Sequence, residues 1–387
     1  MKCNSDPTLL KFLASLGTGF DCASIEEMRA VLNQGVDPAR ILFANPCKSP
    51  PALVFARQAG VIRTTYDNID ELDKIKVHMP EAELLLRIYA EDDGALINLG
   101  DKFGAHLDTT EPLLSRARDL GLEVIGASFH VGKNHHITSI LFFSLAFPLF
   151  SPFHLVFQFI FCFLVVYPKN PMWRKLGQQI LAGTGATNPT SFANAIKNAR
   201  QVFLQAEQLG YNPTILDVGG GFQDSHFEAM AAVLRDTIHA EFPSGVNVIA
   251  EPGRFYARSA YTLACRVISK RRQIGSAAAA GVPDMLYQND GVYGNFMNVI
   301  MEKEAMMPSL VTRGPRQVGQ HRYSIWGPTC DSIDCVAREV TLDVEVRLGD
   351  WLKYKNMGGQ YTIYLLVWAV NLGLTGDSIH YDHRDPV

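Results

Sequence analysis

The stretch TILDVGGGF, residues Thr214–Phe222, is an apolar run that ends in three consecutive glycines. A short apolar run followed at once by glycines is typical of a buried β-strand that enters a tight loop. Bare backbone N–H groups in such a loop can approach a phosphate, although glycine runs also form ordinary tight turns. The stretch therefore predicts a strand with a candidate anion-binding loop at its carboxyl end.

Similar apolar runs recur on both sides of this stretch, with room for a helix between most of them. One intervening segment, Ser24–Gly35, has Ser24 as a candidate N-cap, Glu27 as its capping-box partner and Gly35 as a stop signal. A short stub at Met1–Asn4 adds one further strand candidate. The other seven are GTGFDCAS, RILFANP, VIRTTYD, ELLLRIYA, EVIGASFHVG, TILDVGGGF and NVIAEPGRF.

Eight β/α units over about 260 residues predict a (β/α)8 barrel, with a doubly wound open sheet as the alternative. After Ala264 the pattern changes to alternating strands, with GSAAAAG (275–281) and VTRGPRQVGQHR (311–322) as expected surface loops. We therefore expect a barrel domain at residues 1–264 and a smaller β domain at residues 265–387.

The composition fits an enzyme that acts on a small molecule. Of 387 residues, 47% are hydrophobic and 19% are charged, and the formal net charge of -4 gives no electrostatic reason to expect binding to nucleic acid or to an anionic membrane surface. Seven scattered cysteines form neither a disulfide framework nor a metal-ligand pair. Since the cysteine spacing gives no metal-ligand pair, we expect no bound metal. The first ten residues lack the apolar core of a secretory signal, so we expect a cytoplasmic protein.

Polar and special residues stand where the predicted strands end. In a barrel these ends share one face, which is where active sites are built, so the residues nominate one pocket. They are Lys2, Asp21, Asn45, Arg87, His130, Gly219, Gly220, Gly221 and the run from Glu251 through Gly253 to Arg254.

Each of these residues also has an ordinary structural interpretation. Glu251 could form a surface salt bridge, His130 could be a hydrogen-bonded core histidine, and Lys2 could be a solvated lysine. In the later GPTCDSID motif (327–334), Cys330 lies beside Asp331 in a turn and could be a buried structural thiol.

Taken together, the motifs resemble one family. KCN, GTGFDCAS, ANPCK, LRI, FHVG, LDVGGGF, EPGR, NDGVYGNF and WGPTCDSID occur in the order found in the eukaryotic ornithine decarboxylases, which are pyridoxal-phosphate enzymes with an alanine-racemase-like barrel. The resemblance spans Lys2 to about Gly358. Diaminopimelate decarboxylases share that fold but carry Cys-Glu-Ser where this chain has Cys330-Asp331-Ser332.

The resemblance implies a role for each matching residue. Lys2 would bind pyridoxal 5'-phosphate covalently, Glu251 would hold its ring nitrogen, and His130 would stack on its ring. The other expected cofactor contacts are Asp21, Arg87, Thr184, Gly219, Gly220, Gly221, Gly253, Arg254 and Tyr361.

The family also implies a shared active site. Cys330 and Asp331 would reach into the barrel of a partner subunit, where the thiol returns a proton to the substrate carbon and Asp331 pairs with the substrate's distal ammonium group. Tyr293 and Glu302 would also contact the substrate. The expected assembly is therefore a homodimer.

Four features depart from the family pattern. The chain begins one residue before Lys2, which would place the covalent lysine on a frayed terminus. Met301-Glu302 replaces an aromatic-Asp pair, so the preferred amine could differ from ornithine. After about residue 358 the tail is atypical, and Tyr361 matches only with one extra residue. The remaining departure is an insertion.

Residues 133–183 separate FHVG from the family's next motif, TGATNPTSF. Within them, residues 137–167 contain no Asp, Glu, Lys or Arg and include nine of the 22 phenylalanines. A transmembrane helix, a folded hydrophobic insert and a non-coding segment retained in the gene sequence are the three interpretations. Pro148 and Pro152 split the apolar run below the ~20 residues that a span requires, and family motifs resume intact after it, so the third is favoured.

The sequence thus predicts a pyridoxal-phosphate-dependent decarboxylase of a basic amino acid, with ornithine converted to putrescine as the expected reaction of polyamine biosynthesis. The alternative is a catalytically inactive homologue that acts as a regulatory or binding partner, which the start of the chain and the interrupted loop make plausible.

Overall fold

The computed structural model describes residues 1–90, 97–98, 102–131, 133–134, 189–222, 227–311, 314–316 and 318–359. Nearly all of the predicted insert lies outside the described residues, as do Thr184 and the tail that contains Tyr361. Within the described ranges, no helix is both long enough and apolar enough to cross a membrane.

The described residues between Phe20 and Ile249 contain a parallel sheet of seven strands, in the order β1-β2-β3-β4-β6-β8-β9. Two further strands, β5 and β7, pair only with each other, in antiparallel orientation. In chain order the nine are β1 Phe20–Cys22, β2 Ile41–Phe43, β3 Arg63–Tyr66, β4 Glu83–Arg87, β5 Ile97–Asn98, β6 Glu123–Ser128, β7 Lys133–Asn134, β8 Ile215–Asp217 and β9 Asn247–Ile249.

Helices connect these strands, which gives the βα alternation that the sequence predicts. A 3₁₀ turn, Pro38–Arg40, precedes β2. The helices are α1 Pro7–Ser15, α2 Ile25–Leu32, α3 Pro50–Gln58, α4 Ile69–His78, α5 Leu107–Asp119, α6 Pro189–Gln208, α7 Phe227–Glu241 and α8 Gly253–Arg258.

Local hydrogen bonds explain where these helices begin and end. At α2 the Ser24 hydroxyl accepts the Glu27 N–H, and the Glu27 carboxylate accepts the Ala23 N–H at 2.6 Å, so the capping box predicted from the sequence forms with a one-residue shift. Gly35 follows the helix with φ +75, a conformation that favours glycine. Asp6 and Asn68 cap α1 and α4 in the same way as Ser24.

The core of this unit lies on both faces of the sheet. Leu84, Leu85 and Leu86 of β4 are all fully buried, as expected for a central parallel strand covered on both sides. Helix α4 contributes Leu72 and Ile75 to the same cluster. The apolar residues of β4 are therefore continuous along the strand and do not alternate with polar ones.

The sheet curls around a cavity of about 560 Å³. Residues of the two edge strands, Phe20 of β1 and Ile249 of β9, line the same cavity as Leu85 of the central strand. A flat open sheet would keep its edges apart, so the curled geometry favours the barrel over the doubly wound alternative. The eighth predicted strand is wrong: Met1–Asn4 forms a turn in which the Asn4 N–H donates to the Met1 carbonyl.

The rest of the described chain forms a six-stranded mixed sheet in the order β12-β15-β10-β11-β13-β14. Its core contains Val267, Leu286, Ile325, Leu352 and Tyr354. Its elements are β10 Leu263–Arg271, α9 Gly275–Ala279, β11 Asp284–Gln288, α10 Met297–Met301, β12 Ser309–Val311, β13 Val318–Trp326, β14 Cys335–Val344 and β15 Trp351–Tyr354.

Both of the expected surface loops contain regular structure. GSAAAAG contains α9, because its alanines favour a helix once Gly275 has turned the chain with φ +59. Residues 318–322 of the second segment belong to β13, which pairs with β14. The proposed division of the chain near residue 264 agrees with the start of β10 but stays a prediction.

Candidate active site

The carboxyl ends of the parallel strands bring several charged side chains together. Asp21 lies in β1, Arg87 ends β4, Asp217 ends β8, and Glu251 follows β9 by two residues. His130 follows β6 by two residues. Because parallel strands end at the same edge of a sheet, residues far apart in sequence meet at one face.

His130 and Glu251 form the closest contact at this face. The His130 Nε2 atom lies 2.7 Å from the Glu251 Oε2 atom, and only 8% of the Glu251 side chain is exposed. Burial by itself raises the pKa of the Glu251 carboxyl, but the charge and hydrogen bond of His130, with Asp217 and Arg87, outweigh burial and lower the pKa to about 2. Glu251 is therefore an anion at neutral pH.

The backbone fixes Glu251 beside the glycine loop. Its N–H donates to the Gly219 carbonyl at 2.7 Å, and the Val218 N–H donates to the Ile249 carbonyl at 2.9 Å. These bonds continue the pairing of β8 with β9 beyond the strand ends. The glycine loop and the carboxylate thus form one connected unit.

The first glycine of this loop is required by close packing. Gly219 has φ +64, and a Cβ atom there would lie 2.1 Å from the Phe129 carbonyl oxygen. A Cβ on Gly220 would lie 3.3 Å from the Glu251 carbonyl, and Gly221 has φ +93. The glycine run therefore lets the chain pass directly beside Phe129 and His130, which we call the His130 segment.

Arg87 supplies positive charge to the same face. Burial, the largest influence, lowers the pKa of its guanidinium, while the nearby carboxylates of Glu251, Asp67, Asp217 and Asp21 act in the opposite direction. Its Nε atom is buried and has no hydrogen-bond partner among the described residues. Burial and then the charge of Glu251 raise the pKa of the Asp21 carboxyl well above its usual range.

Arg254, in the first turn of α8, is paired with Glu302. The Arg254 Nη1 and Glu302 Oε2 atoms are 2.6 Å apart, and 4% of the Glu302 side chain is exposed. One helical turn further on, Arg258 forms an ion pair with Glu304. The sequence suggested Glu302 as a substrate contact and gave no sign of this pairing, because the two residues lie 48 positions apart.

Cys330, Asp331 and Tyr293 form a separate group at the surface of the mixed sheet. The Tyr293 hydroxyl donates to Asp331 Oδ2. This bond and the Ile333 N–H, which is the larger influence, lower the pKa of Asp331. Cys330 is exposed, so it is not the buried structural thiol that the sequence also allowed. None of the three residues lines the cavity of the parallel sheet.

Lys2 is exposed and is not among the residues that line the cavity. Met1, Cys3 and Asn4 line it instead, and the Met1 amino group lies 3.4 Å from the Asp21 carbonyl oxygen. Since this segment is a turn, strand pairing does not set the direction of the Lys2 side chain. Its covalent role stays a prediction.

Two buried polar residues at this face have no role in the sequence interpretation. They are Asp217, which is 0% exposed, and Ser128, which is 1% exposed. The one available signal for Asp217 was a charged residue that interrupts the apolar run of TILDVGGGF. Ser128 is a small polar residue within a strand, and nothing in the sequence marks it.

Comparisons with known proteins agree with this geometry. The family described as "Pyridoxal-dependent decarboxylase, pyridoxal binding domain" matches residues 1–140 and 176–258. The unmatched residues between these ranges fall inside the predicted insert. The ornithine decarboxylase of Neurospora crassa is 40% identical to this chain over an alignment of 390 positions, and the alignment covers 92% of this chain and 70% of that protein.

Solved structures of related decarboxylases share the fold. The arginine decarboxylase of Paramecium bursaria Chlorella virus, bound to agmatine, has a TM-score of 0.74 and 33% identity, covering 93% of this chain and 83% of its own. The lysine decarboxylase of Selenomonas ruminantium has a TM-score of 0.71 and 26% identity, with coverages of 95% and 82%.

Proposed function

Because this chain belongs to the family of pyridoxal-dependent decarboxylases, we propose that it converts ornithine to putrescine. The observation that carries the proposal is the buried, anionic Glu251 held against His130 at the carboxyl ends of a curled parallel sheet. The choice of ornithine rests on relatives such as the Neurospora crassa enzyme, which is named for that substrate.

The residues at the strand ends fit pyridoxal phosphate. Glu251 accepts a hydrogen bond from an aromatic ring N–H, that of His130, and a pyridine nitrogen is a donor of the same kind. The buried Nε of Arg87 has no partner among the described residues, so a polar group is needed beside it. Gly219 leaves no room for a Cβ atom, and a Cβ on Gly220 would be in tight contact with the Glu251 carbonyl.

When bound, the cofactor supplies a conjugated ring that accepts the electron pair left by departing carbon dioxide. The chain's own residues hold and orient it. Glu251 would place a negative charge beside the ring nitrogen and so favour its protonated form. Arg254 and the Gly219–Gly221 backbone would hold the phosphate, with Gly253 at the start of α8, and Lys2 would hold the aldehyde carbon.

Cys330 and Asp331 are assigned to a partner subunit's site, which makes the proposed enzyme a homodimer. Both are exposed, outside the cavity of their own chain. There Asp331 would bind the distal ammonium of the substrate, and Cys330 would return a proton to the carbon that loses its carboxyl group. A cytoplasmic location is also proposed, since all six described cysteines are unpaired.

The proposal is tested by measuring carbon dioxide release from carboxyl-labelled ornithine, arginine and lysine, with and without added pyridoxal phosphate. We expect release that depends on the cofactor and is fastest with ornithine. Glu251→Gln should lower kcat by at least about a hundredfold, since it removes the buried charge at the ring nitrogen. A chain that binds the cofactor but releases nothing from any of the three would support the inactive homologue instead.

A further inference from the structure

Asp217 and Glu251 bring two carboxyl groups together in a buried place. Asp217 is 0% exposed, and 8% of the Glu251 side chain is exposed. The two carboxyl groups are close neighbours, since each influences the pKa of the other. Asp217 ends β8 and Glu251 follows β9 by two residues, so the pairing of these two neighbouring strands brings the carboxyl groups to the same place.

Each carboxyl has one oxygen that is already occupied. Asp217 Oδ1 accepts the Gly219 N–H at 2.9 Å, and Glu251 Oε2 lies 2.7 Å from His130 Nε2. The second oxygens, Asp217 Oδ2 and Glu251 Oε1, are buried and have no donor among the residues that the structure describes. Each of these two oxygens therefore still lacks a hydrogen-bond donor among the described residues.

Two carboxylates cannot hydrogen-bond to each other, because each offers only acceptors. One proton between them satisfies both remaining oxygens at once and removes the repulsion between two buried like charges. We propose that Asp217 is a protonated positioning residue, which donates a hydrogen bond from Oδ2 to Glu251 Oε1 and thereby holds the charged Glu251 in place.

The surroundings decide which of the two carries the proton. Glu251 has His130, at the end of β6, and Arg87, at the end of β4, as favourable neighbours for its charge. Asp217 is affected most by burial, then by Glu251 itself, and these raise its pKa well above the usual range; Asp21 of β1 acts in the same direction. The proton therefore belongs to Asp217.

The consequence for the reaction is indirect but specific. A neutral donor at residue 217 keeps Glu251 anionic and restricts its rotation, so the carboxylate is ready for the ring nitrogen. This part rests on the proposed function. The shared proton itself does not, and it can be tested without substrate.

The discriminating variants are Asp217→Asn and Asp217→Leu. Asparagine can accept the Gly219 N–H with its oxygen and donate to Glu251 with its amide, as a protonated aspartic acid does, whereas leucine has a similar shape and no donor. We expect Asp217→Asn to bind pyridoxal phosphate within about threefold of wild type. Asp217→Leu should bind it about tenfold to a hundredfold more weakly, with the acid limb of binding shifted to higher pH.

Infrared difference spectroscopy at neutral pH gives a second readout on the full-length chain. The wild type should show the C=O stretch of a protonated carboxylic acid, and Asp217→Asn should lose it. Loss of cofactor affinity in Asp217→Asn equal to that of Asp217→Leu, or no carboxylic acid band assignable to Asp217, would overturn the proposal. If the leucine variant does not fold, the asparagine variant and the infrared band still decide. An enzyme inactive on every amino acid would leave both readouts valid.

Discussion

Arg254 of α8 and Glu302, which directly follows α10, form a buried ion pair. The pair connects the carboxyl end of the parallel sheet to the unit of the mixed sheet. We propose that this ion pair orients the Arg254 guanidinium for the phosphate of the cofactor before the cofactor binds. The family resemblance implies a different role for Glu302, in which its carboxylate contacts the amine of the substrate. The two roles predict different kinetic effects, because one acts on the cofactor and the other on the substrate.

We expect Glu302→Gln to weaken pyridoxal phosphate binding by about tenfold or more, because the variant replaces the carboxylate that pairs with Arg254 by a neutral amide. The measurement is an absorbance titration with the cofactor, together with kcat and KM for ornithine at saturating cofactor. Glu304→Gln is the matched control, since Glu304 pairs with Arg258 one turn further along α8. Unchanged cofactor affinity with a raised KM would assign Glu302 to the substrate instead.

Lys48 is a second buried ionisable residue. Its Nζ atom donates to the Thr65 carbonyl at 2.7 Å and lies 2.9 Å from Glu71 Oε1. Burial, only partly offset by Glu71, lowers its pKa to about 8.

Between this folded value and the ordinary value near 10.5, the unfolded chain binds more protons than the folded chain. The contribution of Lys48 to stability therefore rises with pH across that window, by on the order of 1 kcal/mol per pH unit. Lys48→Met removes this contribution. Between pH 8 and pH 10, the free energy of unfolding in urea should rise more for the wild type than for the variant. An equal change in the two proteins would contradict the lowered pKa of Lys48.

At the scale of elements, the loop after β8 depends on its glycines for shape. In Gly219→Ala the new Cβ would lie 2.1 Å from the Phe129 carbonyl, in addition to the strain of φ +64. We expect the variant to lose about 3 kcal/mol or more of stability, and to lose cofactor affinity because the His130 segment must shift.

Gly210, in the turn after α6, provides the control. Its φ is +89, but a Cβ atom added there would have no heavy atom within 4 Å. Gly210→Ala should therefore cost only the backbone strain, about 1 kcal/mol, and leave cofactor binding unchanged. Equal destabilisation of the two variants in urea unfolding would show that the contact with Phe129 is not tight.

The sequence predicted the elements better than their contacts. The β/α alternation, the Ser24–Glu27 cap and the ends of β4, β6, β8 and β9 follow from local pattern, and the structure contains them. The contacts of Glu251 with His130 and of Arg254 with Glu302 join positions far apart in the chain, so the periodicity of the sequence does not indicate them. The proton proposed for Asp217 depends on burial, which a residue type alone does not reveal.

Over the whole molecule, the curled sheet and the mixed sheet are joined at α8 and the turn after β15. The Gly358 N–H donates to the Arg258 carbonyl at 3.0 Å, and the Asn4 amide donates to the Gly358 carbonyl at 2.9 Å. A Cβ on Gly358 would lie 1.8 Å from the Ala257 carbonyl, so only glycine allows this approach. Cys330 and Asp331 lie between β13 and β14 of the mixed sheet, and we propose that they act in the partner's barrel.

If active sites are shared, two inactive chains should complement each other. A Lys2→Ala chain keeps its Cys330, and a Cys330→Ala chain keeps its Lys2, so a mixed dimer contains one site with both residues. After the two are unfolded and refolded together, we expect up to about a quarter of wild-type activity, as random pairing gives half mixed dimers with one intact site each. Activity no higher than that of either parent would refute the shared site.

Strand β9 lies at an edge of the seven-stranded sheet. In the described chain β9 is paired only with β8, and Val248 and Ile249 are 45% and 38% exposed. Amide hydrogens of Asn247–Ile249 should therefore exchange with deuterium long before those of β4, which lies between two strands. Glu251 lies two residues beyond β9, so cofactor binding should slow hydrogen exchange more in β9 than in the other strands of the sheet. The increase in the free energy of local unfolding of β9 then gives a measure of the cofactor affinity.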